Sequence, residues 1–449
     1  MQKKRRLKYL TYPKIIAIGY FLVITLGTFL LSLPAANRNN IAPGLINALF
    51  TATSATCVTG LVVYDTFLHW SLFGQLVILL LIQIGGLGFM TIMTMFSFFL
   101  RRKIGLKERG LLRESVNTMY LGGIVRLTKK ILFGTLFFEV IGAVILSIRF
   151  VPVLGLSTGI YYGVFHSISA FCNAGFDLMG RFLSFSSLTL FYDDIIVTLT
   201  IITLIIIGGI GFFVWDDLLK NKLRYKKYHL HTKIVLWVSF ILIIFGTMCF
   251  YLFERDNLLS GMTLGEKILA SFFSAVTPRT AGFNTIDTSS LMPASKLLTI
   301  VYMFIGGSPG STAGGIKTTT FAVILISLWS SLRNTKSDNI FGRRLEDSAL
   351  KRASSVISVN LILALSAAII ISFTNSNLDL GDVLFEVFSA IGTVGLSTGI
   401  TGLLNNFAKV IIIILMYSGR VGSLSFALIF TESRIPSSIQ NPSEKINIG

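Results

Sequence analysis

The sequence predicts an all-α membrane protein of eight transmembrane helices with four re-entrant segments, a pseudo-fourfold repeat of helix, re-entrant loop and helix. Three observations predict it: long apolar runs free of charge, a Ser-Ala to Gly motif that returns four times at a near-constant period, and basic residues confined to alternate connections.

Of 449 residues, 53% are hydrophobic and 13% charged, a balance suited to a bilayer rather than water. Residues 15–37, 73–100, 195–215, 234–253 and 354–378 carry no charge, and each is near or above the roughly 20 residues a spanning helix needs. Three further spans are less clean. Residues 131–148 hold Glu139, read as a structural contact; 297–316 is broken by Gly, Ser and Pro; 410–430 holds Arg420. The basic start, Lys3 to Arg6 and Lys8, leads into a run ending at Pro34 with no small-residue cleavage site, so the first helix is expected to be retained. Cys57, Cys172 and Cys249 are odd in number and sit in apolar surroundings, which implies no disulfide framework.

The net charge of +18 would suit nucleic acid if it were clustered on one face, but its distribution argues otherwise. Of 39 Lys and Arg, six fall in residues 1–14, nine in 101–130, six in 216–233, six in 329–352 and two after 430. These are alternate connections and lie on one side of the membrane. That is the positive-inside pattern of a cell-membrane protein with both termini in the cytoplasm, in contact with lipid and not with nucleic acid.

Between the two spans of each unit lies a stretch too short to cross and too apolar for an ordinary loop. Such backbone is tolerated at membrane depth only where it lines a cavity or is packed in protein. The four stretches are Ser54-Ala55-Thr56-Cys57-Val58-Thr59-Gly60-Leu61, Ser169-Ala170-Phe171-Cys172-Asn173-Ala174-Gly175-Phe176, Ser274-Ala275-Val276-Thr277-Pro278-Arg279-Thr280-Ala281-Gly282-Phe283 and Ser389-Ala390-Ile391-Gly392-Thr393-Val394-Gly395-Leu396. The third carries two extra residues. Gly60, Gly175, Gly282 and Gly395 are spaced by 115, 107 and 113 residues, which divides the chain into repeats 1–112, 113–220, 221–335 and 336–449. The third repeat has a broken second helix, and the fourth ends in a short tail. The second helices carry their own signature: Gly85-Gly86-Leu87-Gly88, Gly208-Gly209-Ile210-Gly211, Gly306-Gly307-Ser308-Pro309 and Gly419-Arg420-Val421-Gly422. Small residues that merely allow close helix packing account for these second-helix glycines taken alone.

This pattern suits a small monovalent cation. An ion that sheds its water needs replacement oxygens, and backbone carbonyls supply them without net charge. Gly accepts the positive φ that turning successive carbonyls to one axis demands. The expected filter is therefore Val58, Thr59 and Gly60; Asn173, Ala174 and Gly175; Thr280, Ala281 and Gly282; and Thr393, Val394 and Gly395. A short helix before each would point its negative end at the pathway. No Asp or Glu falls at these positions, which disfavours a divalent ion.

Two features break the symmetry. Gly306-Gly307-Ser308-Pro309-Gly310-Ser311-Thr312-Ala313-Gly314-Gly315, followed by Lys317, cannot hold a regular helix and should unwind inside the membrane, facing the pathway. Arg420 stands where the first two units have Gly86 and Gly209. A buried arginine is costly and usually functional, so it is expected to donate to the unwound stretch and form a gate with it.

The loops, above all Thr277-Pro278-Arg279-Thr280-Ala281-Gly282-Phe283-Asn284, together with Gln83-Ile84-Gly85-Gly86-Leu87-Gly88-Phe89 and Ser418-Gly419-Arg420, resemble the potassium-translocating subunit of the Trk, Ktr and HKT superfamily, most closely the KtrB type. The resemblance spans essentially the full length. It implies that the four glycines belong to a K⁺ selectivity filter in four pore loops, that 306–315 is a gating loop, and that Arg420 is its partner. It further implies a homodimer with one pore per protomer, a cytosolic ring of RCK-type nucleotide-binding subunits, and Na⁺ as an activator. Sodium-selective relatives tend to carry Ser in the first loop, where this chain has Gly60. The chain lacks the two extra N-terminal helices of Trk-type proteins, and Gly310-Ser311-Thr312 after Pro309 departs from the family pattern.

The expected activity is K⁺ uptake, with Na⁺ conduction or Na⁺/K⁺ symport as the alternative within the superfamily. A secondary transporter of an organic solute would also use broken helices, but its repeats are commonly inverted, whereas this period is fourfold and parallel. An enzyme is disfavoured. His69, His166, His229 and His231 show no paired metal spacing, no nucleophile stands in recognisable relation to a base, and no covalent cofactor is implied.

Overall fold

The computed structural model describes residues 11–88, 91, 94–95, 105–115, 123–222, 224–335, 337–346 and 348–422. Basic residues Lys3 to Arg6, Lys8, 101–103, Lys336 and those after 430, Phe89, and the far parts of runs 73–100 and 410–430 lie outside these.

Each unit opens with a long apolar helix: α1 (Tyr12–Ser32), then a short α2 (Leu45–Cys57) and α3 (Leu72–Leu87) in the first unit, with α4 (Leu106–Ser115) leading to the second. There α5 (Ile124–Leu154) is followed by α6 (Leu156–Phe171), α7 (Ile195–Gly209) and α8 (Phe212–Asn221). The third unit comprises α9 (Leu230–Glu254), α10 (Leu264–Val276), α11 (Pro293–Phe304) and α12 (Thr318–Leu332); the fourth, α13 (Ser348–Thr374), α14 (Leu380–Gly392) and α15 (Asn406–Val421). A two-stranded hairpin, β1 (Asn339–Ile340) and β2 (Arg343–Arg344), lies between the last two units.

Among the described residues four helices are long and apolar enough to cross a bilayer, namely α1, α5, α9 and α13, and α7 with α8 makes a fifth if the bent pair is one span. The uninterrupted helix expected over 195–215 is therefore replaced by two, turned 93° from each other. The physical cause recurs in three units. The last glycine of the second-helix signature leaves the helix at Gly88, Gly211 and Gly422, with φ of 82°, 99° and 94°, a left-handed conformation that a side chain resists.

The opposite ends of these second helices start on caps. Ser71, Asp194 and Asn405 accept from the first free N–H groups of α3, α7 and α15, and Pro293 occupies the first turn of α11. The first helices turn apolar side chains outward. Phe133, Leu136, Phe137, Val140 and Val144 follow one face of α5, and Phe373 at the end of α13 is 87% exposed. A continuous apolar exterior of this kind requires lipid contact. The interior holds the loop helices instead, where Ser54, Thr56, Ser169 and Thr393 have no exposed surface.

Candidate cation pathway

Each short helix ends in the same way. The backbone turns left-handed at Val58, Asn173, Thr280 and Thr393 (φ 57°, 58°, 73° and 51°), and again two residues later at Gly60, Gly175, Gly282 and Gly395 (φ 95°, 70°, 80° and 94°). Closing hydrogen bonds hold this geometry. The N–H groups of Thr59, Ala174 and Val394 each donate over 2.8 Å to the carbonyls of Ser54, Ser169 and Ser389, satisfying carbonyls that a helix end would otherwise leave unpaired. The serine hydroxyls then pin the glycines. Ser54 Oγ accepts from Gly60 N at 3.1 Å, Ser389 Oγ accepts from Gly395 N at 3.0 Å, and Ser169 Oγ donates to Phe176 O at 2.7 Å.

The third loop departs from the Ser-Ala register. Its two extra residues form one more turn, closed by Ala281 N on Thr277 O at 2.9 Å, and the pin moves to the Thr277 hydroxyl, which donates to Phe283 O. Ser274 instead turns its hydroxyl back onto Ala270 O.

The four glycines meet in a ring. A Cβ placed on Gly60 would lie 2.5 Å from Ala174 O, one on Gly175 2.8 Å from Ala281 O, and one on Gly282 2.5 Å from Val394 O; one on Gly395 would run into Thr59 O and close the circle. The units therefore follow one another around an axis in chain order, with a backbone carbonyl at every seam. Four helix C-termini, each carrying about half a negative elementary charge, lead into this ring. Neutral carbonyls and negative dipole ends can hold a desolvated monovalent cation and disfavour an anion.

The second-helix glycines do more than allow helix packing. A Cβ on Gly85 would meet Thr56 O, one on Gly208 Phe171 O, and one on Gly419 Ile391 O, while Gly306 faces Thr280 Cγ2 at 3.2 Å. Gly85, Gly208 and Gly419 thus seat the end of their unit's loop helix, while Gly306 lies against Gly314 O and the turn at Thr280.

Directly below the ring the symmetry ends. The backbone leaves α11, pairs Ile305 with Ile316 in a parallel bridge, and runs 306–315 beneath the loops as an irregular segment. Its anchors are the carbonyls freed where α7 breaks: Ser308 N donates to Gly209 O at 2.9 Å and Thr312 N to Gly208 O at 3.2 Å, while Trp215 Nε1 takes Ile207 O at 3.0 Å. In return Phe212 N, at the start of α8, donates to Gly310 O at 2.7 Å. On the far side Gly315 abuts Gly392 of the fourth loop.

Arg420 spans the remaining gap. Nη1 donates to Thr312 O, and Nη2 donates to Gly85 O and, at 3.2 Å, to Gly86 O. The guanidinium thus sits at the negative C-terminal end of α3 and grips the irregular segment, with carbonyls rather than a carboxylate as its partners. Lys317 adds a second cation: its ammonium donates to Ala313 O at 2.7 Å and Gly314 O at 3.0 Å and so folds the segment on itself. A cavity of about 220 Å³, lined by Gly86, Glu114, Gly310, Lys317 and Arg420 among others, opens below.

The residues expected to form the filter lie at the ring and 306–315 with Arg420 lies beneath it, whereas sequence reasoning gave no role to Lys317, Thr277 or the Gly85 and Gly86 carbonyls. Lys317 adjoining a glycine run was the available signal for the first. Glu139 is a structural contact, accepting from Gln83 Nε2 at 3.1 Å between α3 and α5.

Repeated units around an axis inside an apolar exterior define a multi-pass membrane transport protein rather than an enzyme. Residues 15–439 match the family model described as TrkH, cation transport protein, and the chain belongs to that family, fitting the KtrB type within it. It is 41% identical over 455 residues to the potassium/sodium uptake protein NtpJ of Enterococcus hirae and 41% identical over 453 residues to the Ktr system potassium uptake protein B of Bacillus subtilis, covering 100% of both chains in each case. The crystal structure of the potassium transporter TrkH from Vibrio parahaemolyticus has the same fold, with a TM-score of 0.70 at 17% identity, over 92% of this chain and 85% of that one.

Proposed function

We propose that this chain carries K⁺ across the cell membrane as the translocating subunit of a Ktr-type uptake system. The filter is formed by the backbone of Val58, Thr59 and Gly60 and its three counterparts, and the 306–315 loop, clamped by Arg420, closes the inner side. The observation that supports this reading best is the circular seating of Gly60, Gly175, Gly282 and Gly395, each against the next loop's carbonyl. Eight spans in four units with boundaries near 112, 220 and 335, termini in the cytoplasm, a homodimer, a nucleotide-binding cytosolic ring and activation by Na⁺ belong to the same proposal. It draws on the charge distribution, on the family resemblance of the loops and on the potassium uptake for which the Bacillus subtilis relative is named.

The test is ⁸⁶Rb⁺ uptake in a host lacking K⁺ uptake. Rescue with the chain and a cytosolic partner is the expected result, and no uptake by well-expressed protein would reject the proposal. The Enterococcus hirae relative is named for both potassium and sodium, which keeps Na⁺ conduction as a second reading. Bi-ionic reversal potentials separate the two.

A further inference from the structure

Away from the ring, the second unit turns a fastened corner between α8 and α9. α8 leaves α7 at 93°, so it runs along the bilayer face where α7 crosses it. It buries Phe212, Val214 and Asp217 and leaves Leu219 exposed. Asp217 Oδ2 accepts from His229 N at 3.0 Å, just before α9, and the Tyr228 hydroxyl donates to Lys222 O, so helix and turn form one piece. Tyr225 and Trp237 are both exposed here. The indole Nε1 donates to the Tyr225 hydroxyl at 2.8 Å, and Lys233 Nζ lies 5.1 Å from the centre of the Tyr225 ring. Such amphipathic rings sit at the headgroup level of a membrane.

Charge collects on the same turn. Residues 220–227 hold Lys220, Lys222, Arg224, Lys226 and Lys227 and no acidic residue. Lys220 is paired with Asp216, whereas the other four are exposed and meet no carboxylate among the described residues. The positive-inside pattern asks only that these charges be cytoplasmic; it does not ask for a rigid turn tied to an aromatic pair. Fixed, unpaired cations at headgroup level attract anionic lipid, and a guanidinium among them matches phosphate oxygens in pairs.

We infer that this corner binds the headgroup of an inner-leaflet anionic phospholipid, with Lys222, Arg224, Lys226 and Lys227 around its phosphate and Leu219 and Trp237 against its chains. The other end of α8 reaches the irregular segment. Phe212 N donates to Gly310 O at 2.7 Å, and a Cβ on Gly211 would lie 2.6 Å from Pro309 O. A lipid that draws the corner to the bilayer therefore acts on the 306–315 loop through α8. This coupling rests on the loop's proposed role in closing the inner side; the binding of lipid does not.

The test reads lipid retained by the full chain, by native mass spectrometry in detergent with phosphatidylglycerol or phosphatidylcholine, and ⁸⁶Rb⁺ flux in liposomes of the same lipids. The natural chain should prefer phosphatidylglycerol. Lys226→Gln with Lys227→Gln should lower that preference roughly tenfold, the effect of losing two cations near the surface. The same loss of charge at exposed Arg343 and Lys351 should leave it unchanged. Equal retention of the two lipids by the natural chain, or an unchanged preference in the double variant, overturns the site. A double variant that keeps its lipid but loses a cytosolic protein partner overturns it too and assigns the surface to that partner. Flux that rises with phosphatidylglycerol in the natural chain and not in the double variant supports the coupling. Bound lipid with indifferent flux overturns the coupling alone. No flux in either lipid overturns the transport reading and the coupling with it, and retention still decides the site.

Discussion

At the glycine ring the four units are near equivalents, each contributing a left-handed residue, a glycine two positions on and a carbonyl at the seam; one layer below, each unit contributes something different. The first unit supplies bare helix-end carbonyls at Gly85 and Gly86, the second a 93° bend, the third an irregular segment and the fourth an arginine. The contrast ties geometry to task. Under the proposed function, coordinating a spherical ion calls for like oxygens around an axis, while closing a pathway calls for one unit to reach across it and another to hold it there.

Gly60→Ser tests the symmetrical layer and carries the largest expected effect. Its Cβ would sit 2.5 Å from Ala174 O at a φ of 95°, so the seam must open. The K⁺ over Na⁺ permeability ratio, read from reversal potentials, should fall by about tenfold, a change of the size that left-handed strain imposes. An unchanged ratio would place Gly60 outside the filter.

Arg420→Ala tests the asymmetrical layer. Losing its bonds to Thr312, Gly85 and Gly86 should release the loop and raise ⁸⁶Rb⁺ flux into liposomes roughly fivefold, a modest shift of a closed and open equilibrium. Equal flux from folded protein would show that the loop closes without the arginine.

A smaller effect sharpens the register of the third loop. Thr277→Val removes the pin on Phe283 O and should lower the melting temperature in detergent by about 2 to 4 °C, whereas Ser274→Ala should leave the K⁺ over Na⁺ ratio untouched. A reversed outcome would return the pin to Ser274.

The smallest effect lies outside both layers. Hydrogen bonds from Ser348, then from Arg352 with its charge, hold the Glu346 carboxyl below the usual carboxylate range at the start of α13. A depressed pKa adds stability above the ordinary glutamate value of about 4.3, and that stability is lost as pH falls through the lower folded value. Because the group is fully exposed, Glu346→Gln should change melting only slightly at pH 7 and not at all at the acid end. A large change at pH 7 would contradict this placement.

Much of the proposed site was legible before any coordinates. Four Ser-Ala to Gly motifs at a steady period announced four equivalent turns, and the glycine-rich run 306–315 could not have been a helix. Other features were not legible. The break of α7 at Gly209 hides in a run whose every residue is apolar or small, and it became visible only because Gly211 turns left-handed beside Pro309. The shift of the pin from Ser274 to Thr277 was masked by the repetition itself, since Ser-Ala recurs in all four loops while one extra turn moves its partner away.

The sequence by itself determined an apolar, repeated chain with glycines wherever the backbone must bend or approach another backbone, because composition, period and positive φ are local matters. Tertiary structure alone decided which carbonyl lies at which seam, and that Arg420 grips Thr312, Gly85 and Gly86 rather than a carboxylate. Those pairings join residues more than a hundred positions apart, and they depend on which helix-end carbonyls packing leaves free, a quantity that no stretch of sequence carries.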